Sequence, residues 1–185
     1  MLFRPSQIGE GRCGLAPVAG FGTNGDLTSS SEKESAYSHI AVDCPVDLVA
    51  AHELGHNMGL SHSHLEDGSG GTFNFSTGYG VEGQFVTVMA YPAAFNTQTR
   101  VPLFSNPLLG CLGFACGLDA KHEFGADAVQ SLNLVRHQIA NYFPTQAPDL
   151  PGITISTLSG EPSAATISIA ASRDGGLSFS NSVSN

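Results

Sequence analysis

At 185 residues the chain has room for one domain, or one domain with a tail, and 41% hydrophobic content allows a sizeable core. A net charge of −9, from 16 acidic against 7 basic residues, argues against a nucleic-acid or anionic-membrane surface, since both need clustered Lys and Arg. No apolar run reaches the roughly 18 residues of a membrane span, and Met1-Leu2-Phe3-Arg4-Pro5-Ser6 lacks the apolar core of a signal peptide.

In chain order, Gly-rich turn material follows Leu2-Phe3, and Cys13-Gly14-Leu15-Ala16-Pro17-Val18 reads as a short strand, with Pro17 suiting a sheet edge. Gly22 to Ser35 reads as an exposed loop. Tyr37-Ser38-His39-Ile40-Ala41-Val42 alternates with a period of two, as a half-buried strand does, with His39 a solvated or hydrogen-bonded strand residue. Asp43-Cys44-Pro45 offers a helix start, an acidic cap and a first-turn proline, for a helix over about Pro45 to Met58. Val46, Val49, Ala50, Leu54 and Met58 would be its apolar positions.

That helix carries the chemistry. His52 and His56 lie four apart, so their rings project from one face, one turn above the other, and can grip a small tetrahedral ion. Glu53 stands one step round, close enough to act on an activated water without being a ligand. Gly59 falls where the helix should stop, in a turn that favours glycine, and the reversal would bring His62 back as a third ligand. Three protein ligands leave a fourth position open, the mark of a catalytic zinc site; structural sites are closed by four. A bare pair of histidines around a glutamate arises by accident in many chains, but the glycine and third histidine make accident a poor explanation.

Beyond His62, His64 reads as solvated and Gly68 to Gly71 as a flexible loop. Glu66 and Asp67 could touch a calcium ion, but a solvated acidic loop is the better reading, so calcium stays open without support from the sequence. Thr87-Val88-Met89-Ala90-Tyr91-Pro92 sets a methionine in a tight apolar turn. Phe104-Ser105-Asn106-Pro107 reads as a turn, Leu108 to Gly117 as a compact loop, and Ala126 to Tyr142 as a helix. In that helix Val129, Leu132, Val135, Ile139 and Tyr142 share one face, while His122 before it and Arg136 and His137 on it read as solvated. Of the four cysteines, Cys111 and Cys116 are close enough to bridge a short loop, and Cys13 with Cys44 would be the other pair. Disulfides in an oxidising compartment are favoured over buried free thiols, which remain the alternative.

Together the zinc motif and the methionine turn resemble the metzincin metallopeptidases, and most closely the bacterial reprolysin-like (adamalysin-type) branch. The resemblance rests also on Cys13-Gly14-Leu15-Ala16, Phe104–Pro107 and the helix around Ala126–Asn133, over roughly residues 10 to 143. It implies a secreted zinc metalloendopeptidase acting on protein or peptide substrates, with His52, His56 and His62 as ligands and Glu53 as general base. Met89 becomes the Met-turn residue. Tyr91 becomes a fifth ligand or a hydrogen-bond donor to the tetrahedral intermediate, or else simply packs below the site. Substrate would pair with the edge strand near Gly14–Val18, and residues 93–102 would wall the pocket for the side chain after the scissile bond. Adamalysins usually carry aspartate after the third histidine, where Ser63 stands here.

The fold so implied is an α/β (α+β) zincin: active-site helix, Met-turn and C-terminal helix packed on a small mixed sheet. Its N-terminal strands and helix would be missing, since little chain precedes Pro45. Residues 1–143 would form this catalytic domain, 144–152 a Pro-bearing linker and 153–185 a β-hairpin tail, possibly opening a second all-β domain. In that tail Ser172-Arg173-Asp174-Gly175-Gly176-Leu177-Ser178-Phe179 resembles an Asp-box turn of sialidase-like propellers; a generic Asp-Gly hairpin or a Ser-rich tail are the alternatives. The competing functional class is a zinc-binding but inactive fragment, or an adhesion module of a secreted multidomain protein.

Overall fold

The computed structural model describes residues 1–5, 13–44, 47–142 and the strand segments 165–171 and 177–183. The chain falls into two units, Met1–Phe143 and Pro144–Asn185. In the first, strands β1 (Leu2–Arg4), β2 (Gly14–Leu15) and β3 (His39–Ala41) form a small mixed sheet in the order β1-β3-β2. β1 runs parallel to β3 and β2 antiparallel to it, so β2 occupies an edge. The expected alternation holds only on the approach to β3, where Tyr37 is exposed and Ser38 buried; within the strand Ile40 and Ala41 are both buried. Cys13, just before β2, is bonded to Cys44, just after β3, across a Cα–Cα distance of 5.5 Å.

The segment expected to be an exposed loop up to Ser35 contains a short helix, α1 (Ser30–Ser35). Ser29 caps it by accepting from Glu32 N at 3.2 Å, so a serine run read as loop is in fact a helix start. The loop before it is pinned as well. Leu27 is fully buried, Gln138 accepts from Leu27 N at 2.9 Å, and its amide donates to Gly25 O at 2.7 Å.

Helix α2 (Val49–Asn57) starts later than the sequence suggests. Cys44 sits in a turn closed by its N–H on Ala41 O and is held by its disulfide, so Asp43 cannot cap; Pro45 and Val46 lie outside the described residues. Leu48, with φ +67, precedes the first turn without a side-chain cap. The expected apolar stripe is also displaced. Leu54 is exposed, and the face α2 buries carries His52, Glu53, Gly55, His56 and Asn57. Burying so much polarity is costly unless each group finds a partner, and the partners belong to the site.

After α2 come α3 (His64–Asp67), the hairpin β4 (Gly80–Val81) and β5 (Phe85–Val86), and a 3-10 turn at Pro92–Phe95. The region expected to be a turn and a compact loop is a second hairpin, β6 (Asn106–Cys111) with β7 (Phe114–Cys116). Its two-residue turn, Leu112-Gly113, has positive φ at both positions, a geometry matching strand twist but one a leucine seldom adopts. A Cys111–Cys116 disulfide closes it. Helix α4 (Ala128–Ala140) follows, capped by Asp127, which accepts from Gln130 N at 3.0 Å.

α4 organises the core. Val135 and Tyr142 pack with Ala19 and Leu27, while Ala128 and Leu132 pack with Leu60, Val88 and Met89 beneath α2. No residue of the three-stranded sheet belongs to either cluster, so α4 supports the active-site helix and its turn, not the strands. His122, Arg136 and His137 are exposed. Among the described residues no helix is long and apolar enough to cross a membrane. In the second unit, β8 (Ala165–Ala171) pairs antiparallel with β9 (Leu177–Val183), in register from Ala165↔Val183 to Ala171↔Leu177. Residues 172–176 of the Asp-box reading, and Ile153–Ile155, lie outside the described residues.

Candidate active site

α2 ends in a Schellman turn. Gly59, at φ +83, donates to His56 O at 2.9 Å, and Leu60 N reaches back to Gly55 O at 3.0 Å. The chain then runs beside Ser76–Gly78, with Ser61 N on Ser76 O at 2.9 Å, and this delivers His62 to the α2 face. Ring centroids are 4.7 Å apart for His52–His56, 5.2 Å for His52–His62 and 4.8 Å for His56–His62. One nitrogen from each ring lies within 4.8 Å of the others, in a group matching a metal-binding set.

The other nitrogen of each ring is already engaged. His52 Nδ1 lies 2.9 Å from Val88 O and His56 Nδ1 2.8 Å from Leu60 O. A carbonyl oxygen only accepts, so each Nδ1 carries the proton and each Nε2 presents a lone pair. His62 Nδ1 is held by Asp67, 3.0 Å from Oδ2. His62 Nε2 is buried with no partner, and the Nε2 atoms of His52 and His56 stand only 3.1 Å apart. Two lone pairs facing at that distance repel each other unless a cation lies between them. Burial lowers the pKa of His52 to about 4 and also lowers that of His56, so both are neutral at neutral pH, as a metal ligand must be. The donor set fits a tetrahedral ion such as zinc.

Glu53 is buried beside them, and loss of hydration raises its pKa to about 7. A Cβ built on Gly14 would collide with the Glu53 side chain, so strand β2 packs directly on that carboxyl. Met89 is fully buried, and its Sδ would lie 2.5 Å from a Cβ at Gly55, placing the sulfur against the α2 backbone between the two histidine positions. The Tyr91 ring stands 4.5 Å from that of His62 and 5.5 Å from that of His52. Burial and the carboxylates of Glu53, Glu66 and Asp67 raise its pKa. A cleft of about 530 Å³ opens over these groups, with Gly14, Leu15 and Ala16 on one side and Arg100 among its other walls.

Several residues here have other roles than the sequence suggests. Glu66 and Asp67, read as a solvated acidic loop, form helix α3 with a capping box: Glu66 Oε2 accepts from Ser63 N at 3.2 Å and from Ser63 Oγ at 2.5 Å. Glu66 Oε1 also accepts from Tyr91 N at 3.1 Å, tying α3 to the segment after Met89. The signal was available in Ser63-x-x-Glu66, a helix-start pattern. His64 is half-buried, not solvated, with Nε2 3.2 Å from Gly125 O. Among the described residues, no arrangement resembling a calcium site accompanies Glu66 and Asp67, whose oxygens are spent on Ser63, Tyr91 and His62.

Comparison with known proteins agrees with this geometry. The family model for the Metallo-peptidase family M12B Reprolysin-like matches residues 1–117. A peptidyl-Asp metalloendopeptidase of Pseudomonas aeruginosa PAO1 is 40% identical over 163 residues, covering 80% of this chain and 26% of that protein. The chain thus spans about a quarter of that relative's length. No solved structure matches it significantly. With three imidazoles converging on one point and a family match across residues 1–117, the chain belongs to the reprolysin-like M12B metallopeptidases.

Proposed function

We propose that the protein is a zinc-dependent endopeptidase of metzincin architecture, secreted, with His52, His56 and His62 holding the metal and Glu53 as general base. The observation that carries this reading is the convergence of one nitrogen from each of three imidazoles beside a buried carboxyl. Zinc, when bound, supplies a Lewis acid that polarises the scissile carbonyl and lowers the pKa of water to about 7. The rest is the work of the chain. An extended peptide pairs with the edge strand β2, which lines the cleft, and so brings its backbone across Glu53. Glu53, desolvated and with a pKa near neutrality, takes a proton from the attacking water and returns it to the leaving amine. The Tyr91 phenol, within a ring's breadth of His62, hydrogen-bonds the developing oxyanion. Met89 packs under the helix and fixes the height of the triad. Two disulfides suit an oxidising compartment.

The relative's name supplies a substrate class: we infer that this chain, too, cuts peptides beside aspartate. The test is direct. Glu53→Gln should retain one zinc per chain by metal analysis yet lose peptide hydrolysis by several orders of magnitude, roughly 10²–10⁴-fold for a lost general base. Hydrolysis by the parent chain should stop with a chelator and return with zinc. A Glu53→Gln protein that cleaves at the parent rate would remove Glu53 from the mechanism.

A further inference from the structure

We propose that Arg100 is the specificity-determining residue of the cleft, pairing through its guanidinium with the acidic side chain of the substrate residue next to the scissile bond; this rests on the peptidase reading above. The protein as a whole repels such a substrate, carrying 16 acidic and 7 basic residues. Two acids, Asp47 and Glu53, line the cleft itself. A preference for a carboxylate therefore needs a local cation beyond the metal, and Arg100 is the one Lys or Arg among the described residues lining it.

Three features fit Arg100 for the task. Among the described residues its guanidinium makes no ion pair, so none of them competes with a ligand for its donors. Its charge nonetheless reaches the reacting centre, acting on both His52 and Tyr91. Its backbone is fixed: Val86 N donates to Thr99 O at 2.9 Å and Val101 N to Val86 O at 2.8 Å, in a parallel bridge between Val86 and Arg100. Two residues beyond Val86, the carbonyl of Val88 holds His52. One short stretch of chain thus sets the position of both a triad histidine and the arginine. Arg100 is half-buried with no ion-pair partner among the described residues, so part of its desolvation is already met, and its planar fork matches a carboxylate with two parallel hydrogen bonds.

The experiment uses the zinc-loaded full chain and three quenched peptides identical except for Asp, Asn or Lys beside the scissile bond, with the cut located by mass spectrometry. The parent chain should prefer Asp over Asn in kcat/KM by about ten- to a hundredfold, the range for a hydrogen-bonded charge. Arg100→Gln should bring that ratio near one, and Arg100→Glu should turn the preference toward the Lys peptide. Binding of the Asp peptide by calorimetry gives a readout without turnover: Glu53→Gln should bind it, and Glu53→Gln with Arg100→Gln should bind it at least about tenfold more weakly. Metal content and circular dichroism of each variant establish that the fold is kept. An Asp preference that survives Arg100→Gln, or a parent enzyme that cuts all three peptides alike, overturns the assignment and leaves the peptidase reading standing. A zinc-loaded parent chain that cuts none of them overturns both.

Discussion

Asp67 grips His62 from two directions. One carboxylate oxygen accepts the His62 backbone N–H at 3.0 Å, and the carboxylate also meets Nδ1 at 3.0–3.2 Å. The other two histidines lean on backbone carbonyls, which mutation cannot remove, so His62 is the imidazole of the three whose orientation depends on a single replaceable side chain. Outer partners of this kind typically hold 10–100-fold in metal affinity. Asp67→Ala should therefore weaken zinc binding by about that factor in a competition assay with a chromophoric chelator, while the exposed Glu82→Ala leaves it unchanged. Equal affinities in the two variants would show that Asp67 does not orient the ring. From sequence, spacing alone was enough to bring the three imidazoles together. Their partners were not legible, because Val88, Leu60 and Asp67 acquire their roles only once a turn, a Schellman reversal and helix α3 have formed.

At the scale of the element, the Schellman turn after α2 does two jobs at once. It redirects the chain toward His62, and it exposes the Leu60 carbonyl that fixes His56. Gly59 has φ +83, and a Cβ there would meet the Thr72 side chain at 2.8 Å and Ala19 O at 3.1 Å. Gly68, at the end of α3, also has positive φ, yet a Cβ there meets nothing within 4 Å. Gly68→Ala should thus cost only the left-handed backbone penalty, about 1–2 kcal/mol by thermal unfolding, with zinc affinity retained. Gly59→Ala carries that penalty plus the clash with a fully buried threonine, and should both unfold earlier and bind zinc more weakly. If both variants keep the parent affinity, the turn does not set the ligand geometry. Other elements were less legible for identifiable reasons. The start of α2 was misplaced because Asp43-Cys44-Pro45 has the look of a cap, while a distant cysteine holds Cys44 in a turn instead. The hairpin Asn106–Cys116 passed for a loop because leucine is a poor residue for the left-handed position at its tip.

For the whole molecule, the question is which part of the chain the chemistry needs. Every residue of the triad, both disulfides, the Met89 turn, the two apolar clusters that α4 joins and a third of Phe85 with Cys111 and Cys116 lie between Met1 and Phe143. α4 supplies Ala128 and Leu132 beneath the active-site helix, together with Val135 and Tyr142 against Leu27, so the unit needs its chain up to that point to close its core. A domain of this length is within the range that folds alone. The second unit offers the hairpin β8–β9, paired within itself from Ala165↔Val183 to Ala171↔Leu177. A two-stranded hairpin by itself is marginal in water. A chain ending at Phe143 should accordingly unfold cooperatively, and its zinc binding and its rate on each test peptide should equal those of the full chain. A chain ending at Asn133 loses Val135, Ile139 and Tyr142 from the core and should fail to fold. The comparison is decisive in both directions: if removal of residues 144–185 abolishes zinc binding, the second unit is part of the catalytic fold and the boundary at residue 143 is wrong.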